Sequence, residues 1–535
     1  MTIHAHPVPV LPQPGSRRES SRWLALSVLC VSILIVNLDS TVLNVALPTL
    51  VRDLHATSHQ LQWIVDAYAL VYGGLVLVGG SLADRVGRKR TFVAGLAAFA
   101  GGSASAAFSG SVGVLIAARA SMGIGAAMMM PSTLAIVTDM FQDHAERQRA
   151  IGIWAGTSGV GFALGPIIGG LLLARFWWGS VFLINVPIAI VGLLCAIPLV
   201  PDSKNRAAPR PDLAGSVLSI TGLGLVLWAI IEAPVYGWSS AIVIGAGIGG
   251  LAVLACFARW ERVTSHPMLN LRFFQAPSFS APIASLGLAM FGLVGALFVL
   301  TQFLQFTLAY SPLQAGVRML PIAAGIAVMA PLSSVAVRKA GIKLTITAGL
   351  LVIAGGLWQT SQATASSTFV SVLPGMILAG AGAGLVIPAV SGSVMGSLPR
   401  ANTGVGSATN GVFTQVGGAL GVAVIGSLLS ARYQDRMVAA LASAPVPHAI
   451  ETTITGSVGG ALGVAAQVGG ELGRLLAEAA RSAFISGADL GLLTGAAIVL
   501  VGSVLALVTV PARSRMSAPP ASPAQDRGAG ETGER

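Results

Sequence analysis

The sequence predicts an all-α polytopic membrane protein, and three observations carry that class. Of its 535 residues 54% are hydrophobic and only 10% are charged, where soluble globular domains carry about 25% charged residues. Apolar runs long enough to cross a hydrocarbon core of ~30 Å, about 20 residues each, recur along the whole length. A short, densely charged turn, Gly80-Ser81-Leu82-Ala83-Asp84-Arg85-Val86-Gly87-Arg88-Lys89-Arg90, is wedged between two of these runs.

Residues 1–22 read as a cytoplasmic tail, Pro-rich and basic at Arg17, Arg18 and Arg22. The apolar run that follows is too long for a cleavable signal peptide and contains Asp39, so it reads as a retained first span. Candidate spans fall at 23–48, 61–82, 91–109, 113–135, 151–173, 179–200, 213–232, 240–258, 278–306, 314–336, 344–363, 368–392, 405–429 and 488–510, which makes fourteen. Both termini then lie on one side. Most Lys and Arg residues, including Arg85, Arg88, Lys89 and Arg90, fall on the side of the termini, which predicts N-in and C-in. Tryptophans near span ends, such as Trp63, Trp177, Trp178 and Trp238, fit interfacial belts.

The two halves look related. Ser81–Lys89 has a degenerate echo in Ser334-Val335-Ala336-Val337-Arg338-Lys339-Ala340-Gly341-Ile342-Lys343, and Gly125 with Pro131 recurs as Gly382 with Pro388. An offset near half the total length is what a duplicated bundle leaves. The expected organisation is therefore a first six-helix bundle over 23–200, a linker with two inserted helices over 201–262, a second six-helix bundle over 263–510 and a disordered tail over 511–535. Within the second bundle, residues 430–487 read as a long external loop. Its Gly- and Ala-rich stretch 455–484 is open to two readings, a helical hairpin dipping into the outer surface or a flexible loop.

Several function classes are set aside. Cys30, Cys195 and Cys256 sit in apolar segments without ligand spacing, so neither a disulfide framework nor a metal site is expected. The seven histidines fall in tails or loops, so none is placed to carry protons within the membrane. The net charge of +11 sits in loops facing a membrane and implies no nucleic-acid partner. Gly245-Ala246-Gly247-Ile248-Gly249-Gly250 matches a dinucleotide fingerprint by letter, but it lies in an apolar span with no preceding strand and reads as helix packing. No extramembrane domain or catalytic constellation points to an enzyme.

Three charges lie inside predicted spans, where ionisable residues are costly and functional by default. Asp39 is about 24 Å from the inner end of the first span at 1.5 Å per residue. Asp66 lies about 8 Å, and Arg119 about 9 Å, below the outer surface, so the three are expected to share one layer. Each has a plainer reading: Asp66 as a first-turn acid satisfied by its helix dipole, Arg119 as a partner for backbone carbonyls, Asp39 as a structural acid. Glu232, at the outer end of the seventh span, reads as a headgroup-level acid. In span 5, Gly156, Gly161, Gly165, Gly169 and Gly170 let backbones approach closely, and Pro166 bends the helix.

On these motifs the protein resembles the major facilitator superfamily, and within it the fourteen-helix drug:proton antiporters. Gly80–Arg90 is similar to the superfamily's loop between helices 2 and 3, and Gly156–Gly170 to the antiporter motif of helix 5. Arg119-Ala120-Ser121-Met122-Gly123 resembles the helix 4 motif with Met122 in place of the usual glutamine. Leu38-Asp39-Ser40-Thr41 resembles the helix 1 motif, and Asp66 is an acid shared with the cationic-drug exporters.

The resemblance implies alternating access by two bundles around a central cavity. It also implies a conformational gate of Gly80, Asp84, Arg85, Gly87, Arg88 and Asp139. In that gate Asp84 faces the start of span 13 near Asn402-Thr403-Gly404, and Arg85 or Arg88 pairs with Asp139.

The expected function is a proton-coupled multidrug antiporter of the bacterial plasma membrane, exporting lipophilic, monovalent cationic compounds and conferring antibiotic resistance. Asp39, Asp66 and Arg119 couple protons. Asp39 and Asp66, with Tyr68, Tyr72, Phe162, Phe291, Gln302, Phe303, Gln305, Phe306, Asn410 and Gln415, form the substrate cavity. For the phenylalanines, core or lipid-facing packing is the competing reading. No cofactor is expected beyond the proton gradient, and a monomer is expected. The rivals are export of a specific endogenous metabolite or neutral antibiotic, and a non-transporting sensor or scaffold with a transporter fold.

Overall fold

The computed structural model describes residues 15–204, 211–397, 403–442 and 446–511. Asn402, expected at the gate, lies outside the described residues, as does the tail from 512 onward. Among the described residues there is no strand.

The helices in order are α1 (Gly15–Leu54), α2 (Ser58–Val86), α3 (Arg88–Ala107), α4 (Val112–Met140), α5 (His144–Arg175), the short α6 (Ser180–Leu183) and α7 (Asn185–Leu199). They continue as α8 (Leu213–Tyr236), α9 (Ala241–Val263), α10 (Pro277–Gln302), α11 (Pro312–Arg318), α12 (Leu320–Ser361) and α13 (Phe369–Ser397). Last come α14 (Thr403–Leu441), α15 (His448–Gly456), α16 (Val458–Val468) and α17 (Gly470–Thr509).

Local chemistry sets several boundaries. Asp143 caps α5 by accepting from the N–H groups of Ala145 and Glu146, and Ser311 with Gln314 forms a capping box on α11. Asp212 caps α8 through Gly215 N–H. His59 lies in the first turn of α2 instead of a loop, and α5 and α15 begin at His144 and His448.

By length and composition, twelve segments among the described residues are able to cross a membrane. One of them, Pro312–Ser361, is two helices fused across Gly341, whose φ of 82° and ψ of 162° interrupt α12. The 20-residue α3 is not among the twelve.

The internal repeat is visible in the backbone. Gly87 (φ 129°) separates α2 from α3 by a single residue, and Gly341 occupies the equivalent place in the second half. Both conformations are ones that residues with a Cβ rarely adopt. The paired small-residue positions also repeat. A Cβ at Gly95 would sit 2.8 Å from the Gly125 carbonyl oxygen, and one at Gly349 would sit 3.0 Å from the Gly382 carbonyl oxygen. The α3–α4 pair of the first half and the α12–α13 pair of the second thus share a close backbone approach.

In the first half α1 packs on α5 and α7, and α4 on α2 and α3. In the second, α12 packs on α13 and α17, and α10 and α17 both pack on α14. The halves meet through α2 on α14, α5 on α11 and α1 on α10. The α8–α9 hairpin leans on both, with Leu227 and Ile231 packed against Ala69, Ala419 and Ala423. Glu232 does not stand free at the end of α8: its Oε1 accepts from Trp63 Nε1 at 3.1 Å.

The long external loop expected over 430–487 is mostly helix. α14 continues to Leu441 and α17 starts at Gly470, with α15 and α16 between. Within 455–484, α16 turns into α17 at Gly469 and Gly470, both with positive φ. This unit covers the ends of both halves. Ser58 Oγ donates to the Gly456 carbonyl at 3.1 Å, Tyr433 Oη donates to the Ile454 carbonyl at 2.8 Å, and a Cβ at Gly459 would press on Val51 and Phe306.

Candidate functional site

Asp39 on α1 and Arg119 on α4 meet in the interior of the first half. Arg119 Nη1 donates to Asp39 Oδ2 at 2.5 Å, with the two side chains 1% and 2% exposed respectively for Asp39 and Arg119. The guanidinium is fixed on three sides: Nε donates to the Ile64 carbonyl at 3.1 Å, Cζ lies 4.5 Å from the centre of the Tyr68 ring, and Nη1 passes 4.0 Å from Met122 Sδ. Such a fork and stack suit arginine and not lysine. Met122 fills its place with a weak sulfur acceptor. Asp39 Oδ1 accepts from Asn185 Nδ2 at 3.1 Å.

Asp66 is also buried, yet neither of its oxygens has a hydrogen-bond partner among the described residues. Of the three charges expected in one layer, Asp39 and Arg119 touch, and Asp66 bonds to neither among the described residues. Helical spacing gives the reason. Ile64 and Tyr68, which hold Arg119, lie on one face of α2. Gln62, Asp66 and Gly73 lie on another, which meets α14: Ser427 Oγ donates to Gln62 Oε1 at 3.1 Å, and a Cβ at Gly73 would sit 3.2 Å from Gln415 Cβ. Asp66 thus faces the junction between the halves.

The expected substrate residues separate into groups. Tyr68 and Tyr72 are buried with ring centres 5.8 Å apart. Phe162 borders a cavity of only about 10 Å³ with Thr41, Asn44, Pro166, Leu297 and Ile322. Gln305 Nε2 donates to the Val45 carbonyl at 2.9 Å, joining the π-helical turn after α10 to α1. Asn410 Nδ2 donates to Ser391 Oγ at 3.3 Å, and the backbone of buried Phe291 lies against Gly421. Three residues lie elsewhere. Phe303 borders a second small cavity with Thr360, Ile485 and Leu492 inside the second half, and Gln302 bonds its own helix at the Phe298 carbonyl. Phe306 packs beneath α16.

In the gate region Arg88 is the arginine that pairs. Its Nη2 lies 2.9 Å from Asp84 Oδ1, and its Nη1 pairs with Asp139 Oδ2; Arg85 is exposed. A Cβ at Gly80 would meet Pro131 at 3.5 Å, and the Gly87 turn is held by Arg88 N–H donating to the Ser203 carbonyl at 2.9 Å.

The helix 5 glycines divide into two sets. A Cβ at Gly161 would lie 2.9 Å from the Leu34 carbonyl, one at Gly165 3.0 Å from the Leu38 carbonyl, and one at Gly169 3.2 Å from Val42. These three form the seam with α1. Gly170 approaches Leu313, with a Cβ 2.6 Å from its Cα, and a Cβ on Gly316 of α11 would collide with the Pro166 carbonyl. Continued toward the start of α5, the Pro166–Gly170 face carries Gly159, Gly156 and Gly152, where a Cβ would meet nothing within 4 Å. The second half thus covers α5 at its α11 end, while nearer the Gly80–Arg90 turn the same face of α5 is open among the described residues.

Two packed groups of membrane-length helices, the first holding a buried aspartate–arginine pair in its interior and meeting the second along α1, α2 and α5, define a membrane transporter. A family model for the Major Facilitator Superfamily matches residues 29–422, and the protein belongs to that family. It is 32% identical to the tetracenomycin C resistance and export protein of Streptomyces glaucescens, over 96% of this chain and 97% of that one. It is 35% identical to the multidrug efflux pump LfrA of Mycolicibacterium smegmatis, over 89% of this chain and 94% of that one. The methyl viologen resistance protein SmvA of Salmonella typhimurium is 33% identical over 90% of this chain and 97% of its own. Among solved structures, a bacterial homologue of the human lysosomal transporter Spinster, in an inward-facing, occupied conformation, superposes with a TM-score of 0.66. It is 16% identical and covers 94% of this chain and 99% of that one, a likeness of fold. The protein is a multi-pass transporter of the bacterial inner membrane, and not an enzyme.

Proposed function

We propose that this transporter is a proton-coupled antiporter that exports lipophilic, monovalent cationic compounds by alternating access. In this reading fourteen helices span the membrane with both termini inside. The twelve membrane-length segments support that number once the fused pair at Gly341 is counted as two and α3 is added. The end of the molecule bearing the Gly80–Arg90 turn is then cytoplasmic, and the open face of α5 lies toward the inside.

The observation that carries the reading is Asp66: a carboxylate wholly buried at the junction of the halves, with no partner among the described residues. An ionised carboxylate left alone in such a place costs several kcal/mol. Its stable occupants are a proton or a bound cation, which is the exchange an antiporter performs. Asp39 is the second exchange site, with Arg119 beside it tuning its affinity for either occupant. Relatives described as a multidrug efflux pump and as a methyl viologen resistance protein support this choice of substrates.

The test is ethidium efflux in everted vesicles, with and without a proton-collapsing agent, for the wild type and Asp39→Asn. Proton-dependent efflux that is lost in the variant is expected; efflux indifferent to the agent overturns the reading. A second reading, export of one specific antibiotic or metabolite with Asp39 alone handling protons, is supported by the relative named for tetracenomycin C export. Asp66→Asn separates the two, because only the first reading requires it to abolish cation export.

A further inference from the structure

Asn185 opens α7 directly after the helix break at Ile184 and is fully buried. Both hydrogens of its amide are engaged: Nδ2 donates to Asp39 Oδ1 at 3.1 Å and to Ser103 Oγ at 3.0 Å. Its Oδ1 has no partner among the described residues. Ser103, having accepted that N–H, directs its own hydroxyl to Met122 Sδ at 3.9 Å. The same sulfur faces Arg119 Nη1. Asp39, Arg119, Met122, Ser103 and Asn185 therefore close a ring, drawn from α1, α4, α3 and α7.

We propose that Asn185, anchored by Ser103, is an amide switch that positions Asp39 in both of its protonation states. The proposal rests on the reading that Asp39 takes up and releases a proton. As arranged here the ring offers Asp39 donors only, from Arg119 and Asn185, which suits a carboxylate. A protonated Asp39 needs an acceptor for its O–H. The unused acceptor within the ring is Asn185 Oδ1, on the other branch of the same amide. A half-turn about the Cβ–Cγ bond, a soft two-fold torsion, exchanges Nδ2 and Oδ1. Oδ1 then accepts from the Asp39 hydroxyl and from Ser103, which swings away from Met122. A thioether is a weak acceptor and releases that hydroxyl readily. No backbone has to move. Among the described residues, the titratable groups that face Asp39 are Arg119 from α4 and Tyr68 from α2. Arg119 stays in place when its partner is neutral, because the Ile64 carbonyl and the Tyr68 ring still hold it.

Infrared difference spectra of the full-length protein in lipid, recorded between alkaline and acidic buffer, test the switch. The wild type is expected to show a carboxyl C=O band that disappears in Asp39→Asn. It is also expected to show a shifted C=O band from an asparagine amide that disappears in both Asn185→Leu and Asp39→Asn. Should Asn185→Leu fail to fold, Ser103→Ala replaces it, and the asparagine band must then move to a different position. A carboxyl band assigned to Asp39 with no accompanying asparagine band overturns the switch and leaves proton exchange at Asp39 intact. Absence of any carboxyl band assigned to Asp39 overturns the underlying reading instead.

Discussion

Asp39 and Arg119, 80 residues apart in sequence, form an ion pair with both side chains almost wholly buried. Removing one partner strands the other charge, which typically costs ~3–5 kcal/mol. Arg119→Ala, which strands Asp39, and Asp39→Asn, which strands the guanidinium, are therefore both expected to lower the thermal unfolding temperature in detergent. Arg119→Lys restores the charge but neither the bond to Ile64 nor the flat stack on Tyr68, so its stability should fall between that of Arg119→Ala and that of the wild type. Equal melting points for Arg119→Ala and the wild type would contradict the geometry.

Gly170 and Leu313 mark the closed end of the interface between the halves, and a Cβ at Gly170 would sit 2.6 Å from Leu313 Cα. The double variant Gly170→Cys and Leu313→Cys, with Cys30, Cys195 and Cys256 replaced by Ala, is expected to cross-link on oxidation. The cross-link should stop efflux, and a reductant should restore it. Full efflux from quantitatively cross-linked protein would mean that this seam does not open during transport.

The α15–α16 unit ties the two halves together above the same end, through Ser58 with Gly456 and Tyr433 with Ile454. Each neutral bond is worth about 1 kcal/mol. Tyr433→Phe is expected to raise hydrogen exchange in residues 448–468 selectively and to leave α4 unchanged. A uniform rise along the whole sequence, or no rise, would show that the unit is not held this way.

Arg88 lies between Asp84 and Asp139 at a partly exposed site, the three side chains being 16%, 39% and 42% exposed. Exposed pairs contribute about 0–1 kcal/mol. Asp139→Asn should therefore barely change the melting temperature, yet it should alter the distribution of inter-bundle distances measured between spin labels on the two halves. An unchanged distribution would remove this cluster from the gate.

Much of this is legible in the sequence because membrane helices impose long apolar runs and make every buried charge conspicuous. Asp39 and Arg119 stand out for that reason, and the structure joins them. The echo of Gly87 in Gly341 is visible because only glycine readily adopts those backbone angles. Asn185 is not. A single neutral amide within an apolar run carries no charge to mark it, and its importance comes from Ser103 and Asp39, brought to it from other helices. That Asp39 and not Asp66 pairs with Arg119 is also hidden, since depth along a helix says nothing about which face a residue occupies. The stretch 430–487 reads as a loop because its Gly and Ala content resembles linker composition, while its backbone is held as helix by contacts with Val51, Phe306 and Tyr433.

The central claim is that Asp39 and Asp66 exchange a proton for a cation. Its most direct test is proton release from purified protein in weakly buffered detergent when ethidium is added. Release is expected from the wild type, with a smaller amount from each single Asn variant and none from Asp39→Asn combined with Asp66→Asn. Wild-type release from that double variant, or undiminished uphill dye transport by it, would contradict the account.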